Sequence, residues 1–268
     1  MSQVVQRIVT GTPGLDKMLH GGLWPGNLYL VIGPPGSGKT TLAVQFLLEG
    51  VKRGEKVLLV ALDEPPAEIR DNLGQMFGSN FDSIRVLDAT LEMKSYERTP
   101  VRDVSIQRKS ESFGGVFPEI ARSADLRNPE LTANAVQEMI KNEILKNKIT
   151  RLVIDSATSM RYFLMTNGDR NQFMQSFFRF LGDLRITTLV TIQDSHYHDL
   201  IHRSCGVEDI MARGIIRQYR WLQNNGFRLG IAIEKFRGSK HDTKIRRAKI
   251  NHLGFLVLDG QGRRRGDK

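Results

Sequence analysis

"LYLVIGPPGSGKTTLAVQFL" (28–47) is the stretch from which the rest of the chain is read. A short apolar run ends at Gly33, and apolar residues at helical spacing resume after Thr40. That pattern is a buried strand, a turn and a helix. The turn, "GPPGSGKT" (33–40), matches G-x-x-x-x-G-K-[ST], a phosphate-binding loop in its proper strand-to-helix setting. Gly33, Gly36 and Gly38, spaced by Pro34, Pro35 and Ser37, let the backbone turn its N–H groups onto phosphate oxygens. The helix that follows Lys39, opening with Thr40 and Thr41, adds the positive end of its dipole. Lys39 is placed to reach the β- and γ-phosphates, and the Thr40 hydroxyl is a ligand for Mg²⁺.

Outward from this loop, short apolar runs alternate with helical patterns. "KVLLVAL" (56–62), "IRVLDA" (84–89), "RLVIDS" (151–156) and "TTLVTIQ" (187–193) read as strands. Helices are expected over 40–54, 65–77, 130–147 and 170–184. The alternation implies an α/β fold, a mostly parallel sheet flanked by helices on both faces. After Gly206 the pattern changes. "GIIRQYRWLQ", "FRLGIAIEKF" and "RRAKINHLGFLVLD" read as consecutive strands joined by "NNG" and "HDT" turns, an antiparallel C-terminal extension of the same sheet. The polar stretch 91–128 is too long for a plain connection and reads as an insertion.

The chain has 268 residues, 40% hydrophobic and 25% charged, an ordinary globular balance with enough length for a sizeable core. Its net charge is +10. Residues 1–200 balance at 23 basic and 23 acidic side chains, whereas residues 201–268 hold 16 and 6. The C-terminal quarter is therefore the part that would attract a polyanion. A single cysteine, Cys205, excludes an internal disulfide and any Cys-based zinc site, which suits a reducing cytoplasm. The N-terminus lacks a signal-peptide pattern, and no run approaches the roughly 20 apolar residues of a membrane helix.

Three further elements carry chemistry. The strand "RLVID" ends in Asp155, which puts a carboxylate at the sheet edge where open α/β folds bind ligands. It would complete the Mg²⁺ shell with Thr40. "VALDEPP" ends a second strand in Asp63 and Glu64. Hydrolysis needs a group to polarise an in-line water, and either acid can do that; both also suit a helix start. Finally, "IEKFRGSKH" (233–241) ends a strand in Lys235, Arg237, Ser239 and His241, a cluster suited to an anion.

With these residues assembled, the chain resembles the KaiC-like branch of the RecA-type ATPases over most of its length. "TGTPGLDKMLHGGLWPGNLYLVIGPPGSGKTTLAVQFL" resembles that family's opening pattern, and "LDEPP" occupies the place of its paired glutamates. "RLVIDSATS" is similar to its Walker B strand. "TTLVTIQ" resembles its sensor strand, with Gln193 near the γ-phosphate, and "KFRGSKH" resembles its K-x-R-G-[ST]-x-H signature. The resemblance implies one RecA/KaiC-like ATPase domain over 1–268 that binds and hydrolyses ATP with Mg²⁺. It also implies that Lys235 and Arg237 approach the γ-phosphate bound by an adjacent subunit, with Phe236, Ser239 and His241 near that nucleotide. Such sharing needs a head-to-tail homo-oligomer, and the family points to a hexameric ring acting on a regulated protein partner. Asp63 is one methylene shorter than the family's first glutamate, so the base is Asp63 or Glu64. Only one phosphate loop is present, and the 91–128 insertion is longer than the family pattern.

Two other functions compete. A recombinase-like protein would bind single-stranded DNA through the loop "DSHYHDLIHRSCGVED" (194–209). Tyr197 there could stack on a base, but Arg203 is its sole Lys or Arg among four acids. A nucleotide-gated scaffold would bind ATP with negligible hydrolysis. His196, His198 and His202 read as a histidine-bearing loop rather than a metal site, because no acids accompany them at defined geometry.

Overall fold

The computed structural model describes residues 5–90, 129–162, 167–194 and 206–258. The strands are β1 (Leu28–Gly33), β2 (Val57–Ala61), β3 (Arg85–Asp88), β4 (Arg151–Asp155), β5 (Thr187–Gln193), β6 (Gly214–Gln223), β7 (Gly226–Phe236), β8 (Arg246–Asn251) and β9 (Gly254–Val257). Among the described residues they form one sheet in the order β3-β2-β4-β5-β1-β6-β7-β8-β9. The first six in that order run parallel, and β7, β8 and β9 continue antiparallel. The helices are α1 (Leu15–Met18), α2 (Lys39–Lys52), α3 (Pro66–Phe77), α4 (Pro129–Asn147), α5 (Thr158–Tyr162), α6 (Asn167–Asp183) and α7 (Val207–Met211).

The period-2 pleat divides the apolar strands between two cores. Tyr29, Val31, Leu59 and Val153 face α2 and α3, packing on Leu42, Phe46, Ile69 and Leu73. Leu30, Ile32, Val60 and Ile154 face the other way, onto Ile140 of α4 and Met174, Phe177 and Phe178 of α6. Strands buried on both faces need apolar residues at every position, which is why β1, β2 and β4 read as unbroken runs. Arg151 is the exception at the start of β4. Only 1% exposed, it clasps Glu55 through Nε and Nη2 at 2.6 and 2.7 Å and donates Nη1 to the carbonyls of Val9 and Phe46.

The C-terminal strands differ from the sequence expectation in two ways. β6 does not belong to the antiparallel extension: it pairs parallel with β1, and the direction reverses at the β6–β7 hairpin. The apolar content of β6 is compatible with either pairing, so sequence alone does not decide it. "RRAKINHLGFLVLD" is also two strands, not one. The Asn251 side chain accepts from Leu253 N at 3.0 Å and Gly254 takes φ +99°, a tight turn that alternation cannot reveal. The insertion 91–128, the histidine-bearing loop with Tyr197, Arg203 and Cys205, and the basic tail 261–268 lie outside the described residues. Among the described residues no helix is long and apolar enough to cross a membrane.

Candidate nucleotide site

The phosphate loop leaves β1 at Gly33 and enters α2 at Lys39. Gly36 and Gly38 hold φ of +70° and +93°, a backbone region that L side chains avoid. The loop is supported from below by strands that sequence reasoning did not connect to it. Ser37 Oγ donates to Gln218 Oε1 at 3.2 Å, and Gln218 Nε2 donates to the Gly38 carbonyl at 3.3 Å. Arg220 donates to the Pro35 carbonyl at 3.3 Å. A Cβ at Gly38 would lie 2.7 Å from Ile250 Cδ1 and 2.8 Å from Phe255 Cδ2. One at Gly33 would meet Ser37 Oγ and the Gln218 backbone at 2.7 and 2.8 Å. Gln45 of α2 locks β9 beneath the loop, accepting from Phe255 N at 2.9 Å and donating to Phe255 O at 3.1 Å. The sequence says only that a buried amide at Gln218 needs a partner, not that the partner is the phosphate loop.

The acids converge on the mouth of this loop. Asp155 ends β4, buried, and accepts hydrogen bonds from the hydroxyls of Thr191 and Thr40. Burial pushes its pKa up; the two hydroxyls and Lys39 oppose that, and Asp63 reinforces it. Lys39 donates to the Pro34 carbonyl at 3.1 Å, and burial pulls its pKa down against the attraction of Asp155 and Asp63. Asp63 and Glu64 follow β2 but are held differently. Asp63 accepts from Ser156 Oγ and, at 3.3 Å, from Ser159 N, so it is tied to the start of α5. Glu64 makes no hydrogen bond among the described residues. Burial raises its pKa, followed by the nearby charges of Asp155, Glu68 and Asp63. Gln193 ends β5 directly beside Gly33, with its N–H donated to Thr158 Oγ1 at 2.7 Å. Thr41 is buried below the loop.

Lys39, Thr40, Asp63, Glu64, Asp155 and Gln193 thus share the C-terminal edge of the parallel sheet. The hydroxyl and carboxylate oxygens at its floor are the hard donors Mg²⁺ takes, and the glycine cradle suits a triphosphate.

The signature segment is elsewhere. Arg237 N donates to Arg213 O at 2.9 Å, and Arg213 N donates to Leu28 O at 2.8 Å, so Arg237 is level with the first residue of β1. Gly33, its last, is about 16 Å away at the rise of a strand. Lys235 Nζ donates to the carbonyls of Asp209 and, at 3.3 Å, Ile210. Arg237 Nη2 donates to Ile210 O at 2.7 Å. Both cations therefore rest on the C-terminal carbonyls of α7, where the helix dipole favours positive charge. Phe236 is buried against Tyr29 and His241. Ser239 accepts from Arg7 Nη2 at 2.6 Å, and Arg7 lies over the Trp24 ring at 4.1 Å.

A parallel sheet with a phosphate loop after an inner strand and acids ending two nearby strands defines a RecA-type P-loop fold. Known proteins narrow the class. The family described as "ATPase: KaiC" matches residues 8–261, and the chain belongs to that family. A UPF0273 protein of Thermotoga maritima is 26% identical over 97% of this chain and 98% of its own length. The circadian clock protein KaiC3 of Synechocystis is 29% identical over 95% of this chain, but the match spans 46% of that longer protein. The solved structure of a KaiC-like protein from Pyrococcus horikoshii superposes with a TM-score of 0.72 at 22% identity, covering 95% of this chain and 100% of that one.

Proposed function

We propose that this protein is an ATP-hydrolysing regulatory ATPase whose sites are each built from two subunits, assembled head to tail as a ring of six. One relationship supports the reading above the rest: the phosphate loop leaves the C-terminal end of β1, whereas Arg237 is level with the first residue of that strand and Lys235 with Leu30. In the proposed assembly each chain presents these cations to the nucleotide of a neighbour rather than to its own. Translating one subunit onto the next is a heterologous contact, which closes into a ring or extends as a filament.

In the proposed reaction the loop N–H groups and Lys39 hold the phosphates of ATP, and Thr40 and Asp155 hold Mg²⁺. Bound Mg²⁺ supplies neutralisation of charge on the phosphate oxygens. Glu64 orients and deprotonates the attacking water. Its raised pKa makes it a better base than an ordinary carboxylate, and it has no competing partner among the described residues. Asp63, tied to Ser156 and Ser159, holds α5 and the acid pair in place. Gln193 reads the γ-phosphate beside Gly33. Lys235 and Arg237 of the adjacent subunit stabilise charge developing on the γ-oxygens, an effect worth about 10³–10⁵ in rate where an arginine acts in trans.

The test is turnover and ATP binding measured on the same preparations of wild type, Lys39→Ala and Arg237→Ala. Lys39→Ala is expected to lose both. Arg237→Ala is expected to lose turnover while still binding ATP; undiminished turnover in that variant rejects the trans role.

A further inference from the structure

Arg217 is 2% exposed and lies between the two halves of the proposed site. It sits on β6 beside Ile32 of β1. Its Nη1 donates to Asp194 Oδ2 at 2.7 Å, and its Nε donates to Glu234 Oε1. Its Nη2 is buried with no partner among the described residues. The two carboxylates are neighbours in sequence of the two groups that matter most. Asp194 follows Gln193, and its N–H is donated to the carbonyl of Gly33 at 3.1 Å. Glu234 precedes Lys235.

The backbone at Glu234 is unusual. Ile215 pairs with Lys235 and Ile216 with Ile233, so Glu234 is the extra residue of a β-bulge. Strict alternation would send Glu234 and Lys235 to opposite faces of the sheet. The bulge turns both to the face of Arg217 and α7, and Phe236 then falls into the opposite core with Tyr29. A bulge also interrupts the ladder locally and leaves its extra residue unpaired.

We infer that Arg217 is a positioning residue that couples a subunit's own nucleotide, through Asp194 and Glu234, to the cations it presents to its neighbour. This rests on the reading that Lys235 and Arg237 act in trans. The guanidinium is planar and permanently charged, so a displacement of Asp194 is carried to Glu234 without a change of protonation. In the chain as folded, Lys235 and Arg237 rest on the α7 carbonyls. Reaching a neighbour's phosphate means leaving them, and movement at the bulge is the route. Occupancy of one phosphate loop then raises the affinity of the next, a positive coupling between sites.

Equilibrium binding of a fluorescent, slowly hydrolysed ATP analogue with Mg²⁺ tests this in full-length wild type, Arg217→Lys and Glu234→Gln. Lysine keeps the charge but cannot bridge two carboxylates in a fixed fork. Glutamine at 234 leaves the Asp194–Arg217 pair intact and guards against a folding defect in the first variant. Wild type is expected to bind with a Hill coefficient of about 2 or more, and both variants with a coefficient of about 1. A merely structural role would weaken every site alike and leave the coefficient unchanged. Wild-type binding without cooperativity, or cooperativity retained in the variants, overturns the coupling. Mixing Arg237→Ala with Glu64→Gln subunits reports separately on the underlying reading: restored turnover there, with no cooperativity to lose, removes Arg217 alone.

Discussion

Lys235 is level with the middle of β1, whereas Lys39 lies beyond that strand's C-terminal end. Lys39 opens α2 beyond the last residue of β1, while Lys235 pairs with Ile215, itself level with Leu30. The strand pairing sets this separation. On the proposed shared site, turnover is expected to require assembly. Measured by light scattering, the subunit mass is expected to rise on adding ATP and Mg²⁺, and turnover per subunit to fall on dilution through the same range. Constant turnover from a persistent monomer contradicts the shared site.

Glu64 and Asp63 are predicted to separate under mutation. Glu64→Gln removes the proposed base and is expected to reduce kcat by about 10²–10⁴ while ATP still binds. Asp63→Asn loses the charge that holds Ser156 and Ser159, and is expected to cost less. Burial and neighbouring acids raise Glu64 above its ordinary 4.5. A base must be deprotonated, so kcat/KM falls as pH drops through this raised value. The acid limb of the profile should lie above 4.5 and vanish from the residual activity of Glu64→Gln. The same limb in Glu64→Gln would assign the titration to another group.

Asp155 is predicted to oppose stability while serving the metal. Its folded pKa is raised by burial from 3.8. The native state then holds the proton more tightly than the unfolded chain, so stability falls as pH rises from 3.8 through the folded value. Asp155→Asn removes that buried charge. Its melting temperature at neutral pH without nucleotide is expected to exceed wild type by about 2–4 °C. The further rise that Mg²⁺ and ATP give wild type should be lost. A lower melting temperature without nucleotide would show that the Thr40 and Thr191 hydrogen bonds outweigh the desolvation.

Gly38→Ala is predicted to damage the loop and the fold beneath it together. The φ of +93° and the approach of Ile250 and Phe255 oppose a side chain independently. A loss of about 2–4 kcal/mol in denaturant unfolding is expected, with ATP affinity falling in parallel. Gly54→Ala is the control: it shares a positive φ but has open space around the new methyl, so it carries the backbone cost alone. Equal losses in the two variants would deny the packing role of β8 and β9.

Much of this was legible in the chain. The unbroken apolar runs announced strands buried on both faces, and the phosphate loop with Asp155, Asp63 and Glu64 located one edge of the sheet. Long-range pairing was not legible. Nothing in "GIIRQYRWLQ" says that β6 lies parallel to β1, and so nothing located Gln218 and Arg220 under the phosphate loop. The bulge at Glu234 escaped for the same reason: it exists only as a mismatch between two strands, and periodicity within one strand cannot report it. Arg217 did leave a trace, because a charge inside an apolar strand needs a buried partner.

The central claim is that each site draws on two polypeptides, and subunit mixing tests it most directly. Arg237→Ala subunits keep the phosphate loop and the acids; Glu64→Gln subunits keep the cations. Each alone is expected to be nearly inactive. Random equimolar co-assembly should create complete sites at about one interface in four, returning roughly a quarter of wild-type turnover. If the mixture stays at the level of its inactive parents although mass measurements show the two subunits assembled together, the shared site is contradicted.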